Sequence, residues 1–401
     1  MVKNNQTVVF FFPNVLRDAH RHIFQLDRLK KEGFNIILLD ATKFYGKEAT
    51  ATEKIILEHK VECEVLEDFI TLKKSLPKAP VIFISYDQYV KFAAPVFDII
   101  IRKRDVLLSY HTKRFASINA HSHKAIIFLE KAISHLDKLL PISYFGNLYK
   151  QKYKLYIPDY YLCSTEYLIP TKVYLTVKKE NRIIVHADDM NHILGYQKSV
   201  IDKNQKIGVF LDQGIPFLNR THPKIYTKPL PDGYLDTYYQ SLEKSLKELK
   251  LKLNLDEVVI ALHPDAKKFP EELEGKFSGF RTFMGESKDL IRDANFVFGH
   301  CSAALNFAIY YKKPVIILKD DFLMEYHSNL RKFTTFFIEE LGMTAVEIDK
   351  PVPKLNFEDV SINEKKYLDF TRKYLKDNDI QENSYYYAIN KIQKDLRETN
   401  S

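Results

Sequence analysis

Val258-Val259-Ile260-Ala261-Leu262 runs straight into His263-Pro264, and later Phe296-Val297-Phe298-Gly299-His300 runs into Cys301-Ser302-Ala303-Ala304 before Lys313-Pro314-Val315-Ile316-Ile317. Short apolar runs that alternate with helical stretches predict a parallel α/β sheet. Polar groups gathered where such strands end lie at the carboxyl edge, where open α/β sheets bind ligands. The stretch therefore proposes a site as well as a fold.

Working outward, the second half opens with a strand over residues 206–211 and a loop over 212–231. A long amphipathic helix is predicted over 233–253, with Asp232 placed to cap it. Strands over 257–262, 295–299 and 315–318, with helices over 287–292 and 302–311, complete a Rossmann-like layer.

The first half repeats the theme. A strand over 7–12, a turn at Pro13-Asn14, a periodic segment over 16–31 and a strand over 34–40 make a βαβ unit. Apolar runs over 80–85 and 97–101 extend that sheet, and Ile126, Leu129, Ile133, Leu136 and Leu140 have helical spacing. A short strand over 158–165 leads to a crossover, which sets the predicted domains at 1–170, 171–350 and a helical tail over 351–401 that packs across both. Two Rossmann-like domains of this kind are expected to face an interdomain cleft.

Composition narrows the function. The chain has 401 residues, 45% of them hydrophobic, enough for two cores. No apolar run approaches the roughly 18 residues of a membrane helix, and Val8-Val9-Phe10-Phe11-Phe12 stops at Pro13. Cys63, Cys163 and Cys301 are odd in number and far apart, which argues against a disulfide framework and for a cytoplasmic protein. The formal charge of +8 is scattered, with 60 Lys and Arg against 52 Asp and Glu, and no nucleic-acid reader is recognisable. Such a surface suits an anionic ligand, or peripheral contact with the anionic inner face of a membrane.

His263 should emerge at the carboxyl edge of the second sheet, where it can donate to a phosphate oxygen and offset charge on a leaving group. Ser302 reads as the cap of a helix whose first amides, on Ser302, Ala303 and Ala304, suit an anion. Asp212, before Gln213-Gly214, ends another strand and is a candidate base or a holder of a sugar hydroxyl. Arg17, Asp18, His20 and His22 follow the first strand, with Asp18 and His20 as alternative bases, and Asp188 and Asp189 follow the short strand over 182–185. A turn-forming Asp before Gly, a serine cap and a polar first helical turn account for the same residues without chemistry. No Gly-x-Gly-x-x-Gly, phosphate-loop Gly-Lys-Ser/Thr, His-Glu-x-x-His or Gly-x-Ser-x-Gly is present, which argues against dehydrogenase, P-loop, zincin and α/β-hydrolase chemistry.

The ordered set Asp212-Gln213-Gly214, His263-Pro264 and His300-Cys301-Ser302-Ala303-Ala304 resembles bacterial GT-B glycosyltransferases of surface-polysaccharide pathways, the sialyltransferase and Kdo-transferase-like families of capsule and lipopolysaccharide synthesis. That resemblance implies an inverting, metal-independent enzyme with no cofactor beyond its donor. It would move a sialic acid-like sugar or Kdo from a CMP-sugar to a glycan or glycolipid acceptor. On this resemblance His263, Pro264, Gly214, His300, Ser302 and Ala303 bind the donor nucleotide and phosphate, with Asp212, Asp18 or His20 as base. The sequence departs from the family's acidic-acidic-Gly motif by Gln213, and its serine motif has the single Ser302. Alternatives are a GT-B transferase of UDP- or GDP-sugars or CDP-glycerol, a nucleotide-sugar epimerase, and a non-catalytic glycan-assembly partner.

Overall fold

A computed structural model of the chain describes residues 6–12, 24–40, 62–65, 81–85, 106–111, 158–165, 177–194, 199–202, 204–217, 230–355, 357–375 and 379–400, with Ile169 and Arg220. It divides into two compact units, Met1–Gly195 with Tyr374–Ser401, and Tyr196–Lys373.

In the first unit β1 (Thr7–Phe12), α1 (Leu26–Lys31), β2 (Asn35–Asp40), β3 (Glu62–Val65), β4 (Val81–Ser85), β5 (Val106–His111), β6 (Tyr160–Cys163), β7 (Arg182–Ile184) and α2 (Asp188–Ile193) follow in order. The seven strands are parallel, in the order β3-β2-β1-β4-β5-β6-β7. Val8, Phe10 and Phe11 of β1 are buried on both of its faces, as a central parallel strand requires.

The second unit holds β8 (Ile207–Leu211), α3 (Tyr234–Lys252), β9 (Glu257–Leu262), β10 (Arg281–Met284), α4 (Ser287–Asp293), β11 (Phe296–Gly299), α5 (Leu305–Tyr310), β12 (Val315–Lys319), α6 (Asp321–Tyr326), α7 (Ser328–Leu341), β13 (Thr344–Glu347) and α8 (Glu364–Phe370). Its six parallel strands lie in the order β10-β9-β8-β11-β12-β13. In both sheets the chain moves outward from its first strand and then returns to that strand's other side, so the order reverses between β1 and β4 and between β8 and β11. One face of the second sheet packs Phe210, Val258, Ile260, Phe298 and Ile316 under Tyr238, Leu242, Leu246 and Leu249 of α3. Those α3 residues recur at three- and four-residue steps, the apolar stripe of an amphipathic helix.

Several expectations are corrected. The short strand after residue 181 is the seventh of the first sheet, paired to β6, so the boundary falls at 195/196 and not at 170/171. The tail over 351–401 is shared between the units, α8 belonging to the second and α9 (Ser384–Asn400) returning to the first. There Tyr385 meets Phe24 edge-on at 4.6 Å, Ser384 N–H donates to Asn191 at 3.0 Å, and the Tyr160 hydroxyl donates to Asp395 at 3.1 Å. The cap of α3 is Gly233, in the left-handed region at φ 74°, with no side-chain bond from Asp232. The helix after β11 begins at Leu305, three residues beyond Ser302. The runs over 97–101 and 126–140 lie outside the described residues.

Candidate functional site

Register brings four strand ends to one level. Leu211 pairs with Ala261 and with Gly299, and Gly299 pairs with Ile317, so Asp212, His263, His300 and Leu318 gather at the carboxyl edge around the reversal of strand order.

Asp212 is 5% exposed, and its carboxylate serves backbone: Oδ1 accepts the Gly214 N–H at 3.0 Å and Oδ2 the His263 N–H at 3.1 Å. Burial pushes its pKa up, opposed by these amide bonds. Asp212 thus clamps the end of β8 to the end of β9, with both oxygens occupied, rather than standing open as a base. Gly214 lets the loop turn there at φ 65°, where a Cβ would overlap the Phe217 ring.

His263 is partly exposed, with extended backbone, and heads the 3-10 turn Pro264–Lys268. Pro264 occupies the first position of that turn, where its missing N–H is not needed. The Asp265 N–H donates to His263 Nδ1 at 3.2 Å, so the neutral imidazole carries its proton on Nε2 and that nitrogen is a hydrogen-bond donor. The Phe217 ring lies 5.7 Å from the imidazole and stacks on Phe269 at 5.2 Å, over which the Arg220 guanidinium sits at 4.2 Å.

Across the reversal, Gln213 joins β8 to the chain after β11. Its Oε1 accepts the Cys301 N–H at 3.2 Å and its Nε2 donates to Cys301 Sγ at 2.9 Å. A carboxylate in place of Gln213 could accept but not donate, so the departure from the acidic-acidic-Gly pattern has a structural reason. Burial pushes the Cys301 thiol up to about 12, which makes it an inert thiol at neutral pH.

His300 is fully buried and lies beneath the edge, which corrects its expected place among the donor's contacts. Its Nδ1 meets the Leu318 carbonyl, which can only accept, so Nδ1 carries the proton and Nε2 accepts from the Tyr238 hydroxyl at 2.7 Å. Burial lowers its pKa and keeps the ring neutral. Ser302 and Ala303 are half-buried, in the turn before α5. Ser302 Oγ accepts the Ala304 N–H at 3.2 Å, a local turn bond in place of the expected helix cap.

The structure thus brings Asp212, Gly214, His263, Pro264, His300, Ser302 and Ala303 to one sheet edge, with His300 as support. Arg17, Asp18, His20 and His22 lie outside the described residues. Asp188 and Asp189 open α2 of the first unit, where Asp189 is buried. Tyr238 and Asp265 were not anticipated: Tyr238 reads as one more apolar position of α3, whereas Asp265, two residues after His263, was visible as a turn residue. Among the described residues no group of three His, Cys, Asp or Glu side chains could hold a metal ion, and no helix is long and apolar enough to cross a membrane.

No protein-family model and no curated protein matches this chain. Solved structures do. A putative UDP-N-acetylglucosamine 2-epimerase from Listeria monocytogenes is similar over 99% of this chain and 98% of its own, at TM-score 0.52 and 10% identity. The S. aureus MnaA-UDP co-structure is similar over 98% and 97%, at TM-score 0.50 and 11% identity. A variant of the wall teichoic acid polymerase TagF is similar over 99% and 90%, at TM-score 0.50 and 12% identity. The fold of this chain is α/β and GT-B-like, with Rossmann-like domains, as the sequence predicts.

Proposed function

We propose that this chain is a glycosyltransferase that moves a sugar from a nucleotide-activated donor to a glycan or glycolipid acceptor, with the donor phosphate at the carboxyl edge of the second sheet. One observation carries the reading: the Asp265 amide sets the donor nitrogen of His263, and Asp212 anchors that histidine's backbone beside the reversal of strand order.

In this reading His263 Nε2–H donates to a phosphate oxygen, and the Ser302-Ala303 turn and Gly214 line the same site. The acceptor hydroxyl attacks the anomeric carbon, the bond from that carbon to the phosphate oxygen breaks, and the electron pair leaves with the phosphate. His263 stabilises that developing charge. The acceptor proton goes to a base, assigned from the sequence to Asp18 or His20, since Asp212 is held by two amides. The family resemblance favours a CMP-activated acidic sugar, used without metal.

A second reading, a UDP-sugar epimerase or a transferase with a diphosphate donor, is favoured by the likeness to the MnaA-UDP co-structure. The two separate by incubating the protein with radiolabelled nucleotide sugars, with and without acceptor extract. Acceptor-dependent release of nucleotide, lost by at least 100-fold in His263→Ala, supports transfer. Interconversion of the donor with no acceptor present supports the epimerase and excludes the first reading.

A further inference from the structure

Three aromatic rings stand on the same edge as the proposed phosphate site, and nothing in that reading uses them. Tyr234 opens α3, the crossover helix between the parallel strands β8 and β9, and Phe322 and Tyr326 lie one turn apart on α6, which starts directly after β12, so both helices begin on the carboxyl side of the sheet. The Phe322 and Tyr234 ring centroids are 4.5 Å apart, and Phe322 stacks on Tyr326 at 5.3 Å with 20° between planes. Phe322, although packed on two neighbours, remains 41% exposed.

The rings are pre-set rather than adaptable. Asp320 caps α6, accepting the Leu323 N–H at 2.7 Å, while Leu323 and Met324 anchor that helix in the core. The same two elements are tied to the proposed phosphate edge through His300. Its Nε2 takes the hydroxyl of Tyr238, one turn along α3 from Tyr234, and its Nδ1 meets the carbonyl of Leu318, two residues before Asp320. His300 itself precedes Cys301 and Ser302. One buried imidazole therefore fixes the aromatic rim relative to the Ser302 turn.

Resting on the transferase reading above, we propose that Phe322, backed by Tyr234 and Tyr326, is the stacking platform for the nucleobase of the donor. A rigid, partly exposed ring face beside an anion site suits a ligand that joins a flat aromatic ring to a phosphate. Stacking accepts any base face, so this platform supplies affinity and leaves the choice of base to other contacts.

The test is calorimetric titration of the full chain with CMP, UDP and GDP, and with inorganic pyrophosphate. Phe322→Ala, at an exposed position, should weaken the nucleotides about tenfold, equivalent to about 1.4 kcal/mol, and leave pyrophosphate binding unchanged. Phe322→Tyr should restore nucleotide affinity and Phe322→Leu should not, since a flat face and not mere apolarity is required. Unchanged nucleotide affinity in Phe322→Ala, while His263→Ala still loses it, would overturn the platform and spare the phosphate site. A loss confined to intact nucleotide sugars would overturn it in favour of a sugar-stacking ring. Absence of nucleotide binding by the wild type would overturn both readings.

Discussion

Replacing Asp212 by Asn separates a clamp from a base. The side chain keeps its shape but retains one acceptor for two amides that now lie 3.0 and 3.1 Å from carboxylate oxygens. Losing a hydrogen bond to a charged acceptor costs about 1.5–3 kcal/mol, and the new NH2 faces a backbone N–H, leaving buried donors opposed at about 1–3 kcal/mol. Removing the charge recovers part of this, because burial is the largest influence on Asp212 and disfavours its ionised form. The net loss expected is about 2 kcal/mol, a fall of about 1 M in the urea midpoint at an m-value near 2 kcal/mol/M. Because His263 N–H is one of the two donors, nucleotide affinity should fall as well. Unfolding within about 0.5 kcal/mol of wild type, with nucleotide affinity intact and turnover lost by about 100-fold or more, would refute the clamp and make Asp212 the base.

Other consequences follow from the same edge. His300 is neutral and its pKa is lowered by burial, so below about 6.5 the unfolded chain binds a proton that the folded ring refuses. Stability from this group is complete at neutral pH and is lost as pH falls below that value, by at most about 1.4 kcal/mol per pH unit; His300→Asn should flatten that part of a pH series of urea unfolding curves relative to wild type. Tyr238→Phe leaves His300 Nε2 without its donor and should destabilise by about 1–3 kcal/mol in the same assay. Gly214→Ala meets both a positive φ and the Phe217 ring, and should cost more than about 1 kcal/mol, read as a lowered Tm. Iodoacetamide at pH 8 should leave Cys301 unlabelled in the native protein and label it after unfolding, as peptide mass spectrometry would show.

Much of the second sheet was legible because β8, β9, β11 and β12 are fully or largely buried apolar runs, and burial on both faces writes itself into residue type. β10 was not, since Arg281-Thr282-Phe283-Met284 sits at the sheet's edge, mostly exposed, and has no such constraint on its residues. Where the tail divides between the units was illegible for a different reason: the periodicity of α9 announces a buried face without saying what covers it. His263 and His300 look alike in sequence, each following a strand of apolar residues. What separates them is distant: the Asp265 amide fixes the ring of one at the edge, whereas Tyr238 and the Leu318 carbonyl hold the other beneath it.

The proposed phosphate site at His263 is tested most directly by titrating CMP, CDP, UDP and GDP into the purified chain and into His263→Ala. Saturable binding of at least one nucleotide, weakened about tenfold or more in a variant whose unfolding curve matches wild type, is the result predicted. Equal binding by both proteins, or none by the wild type, would contradict it.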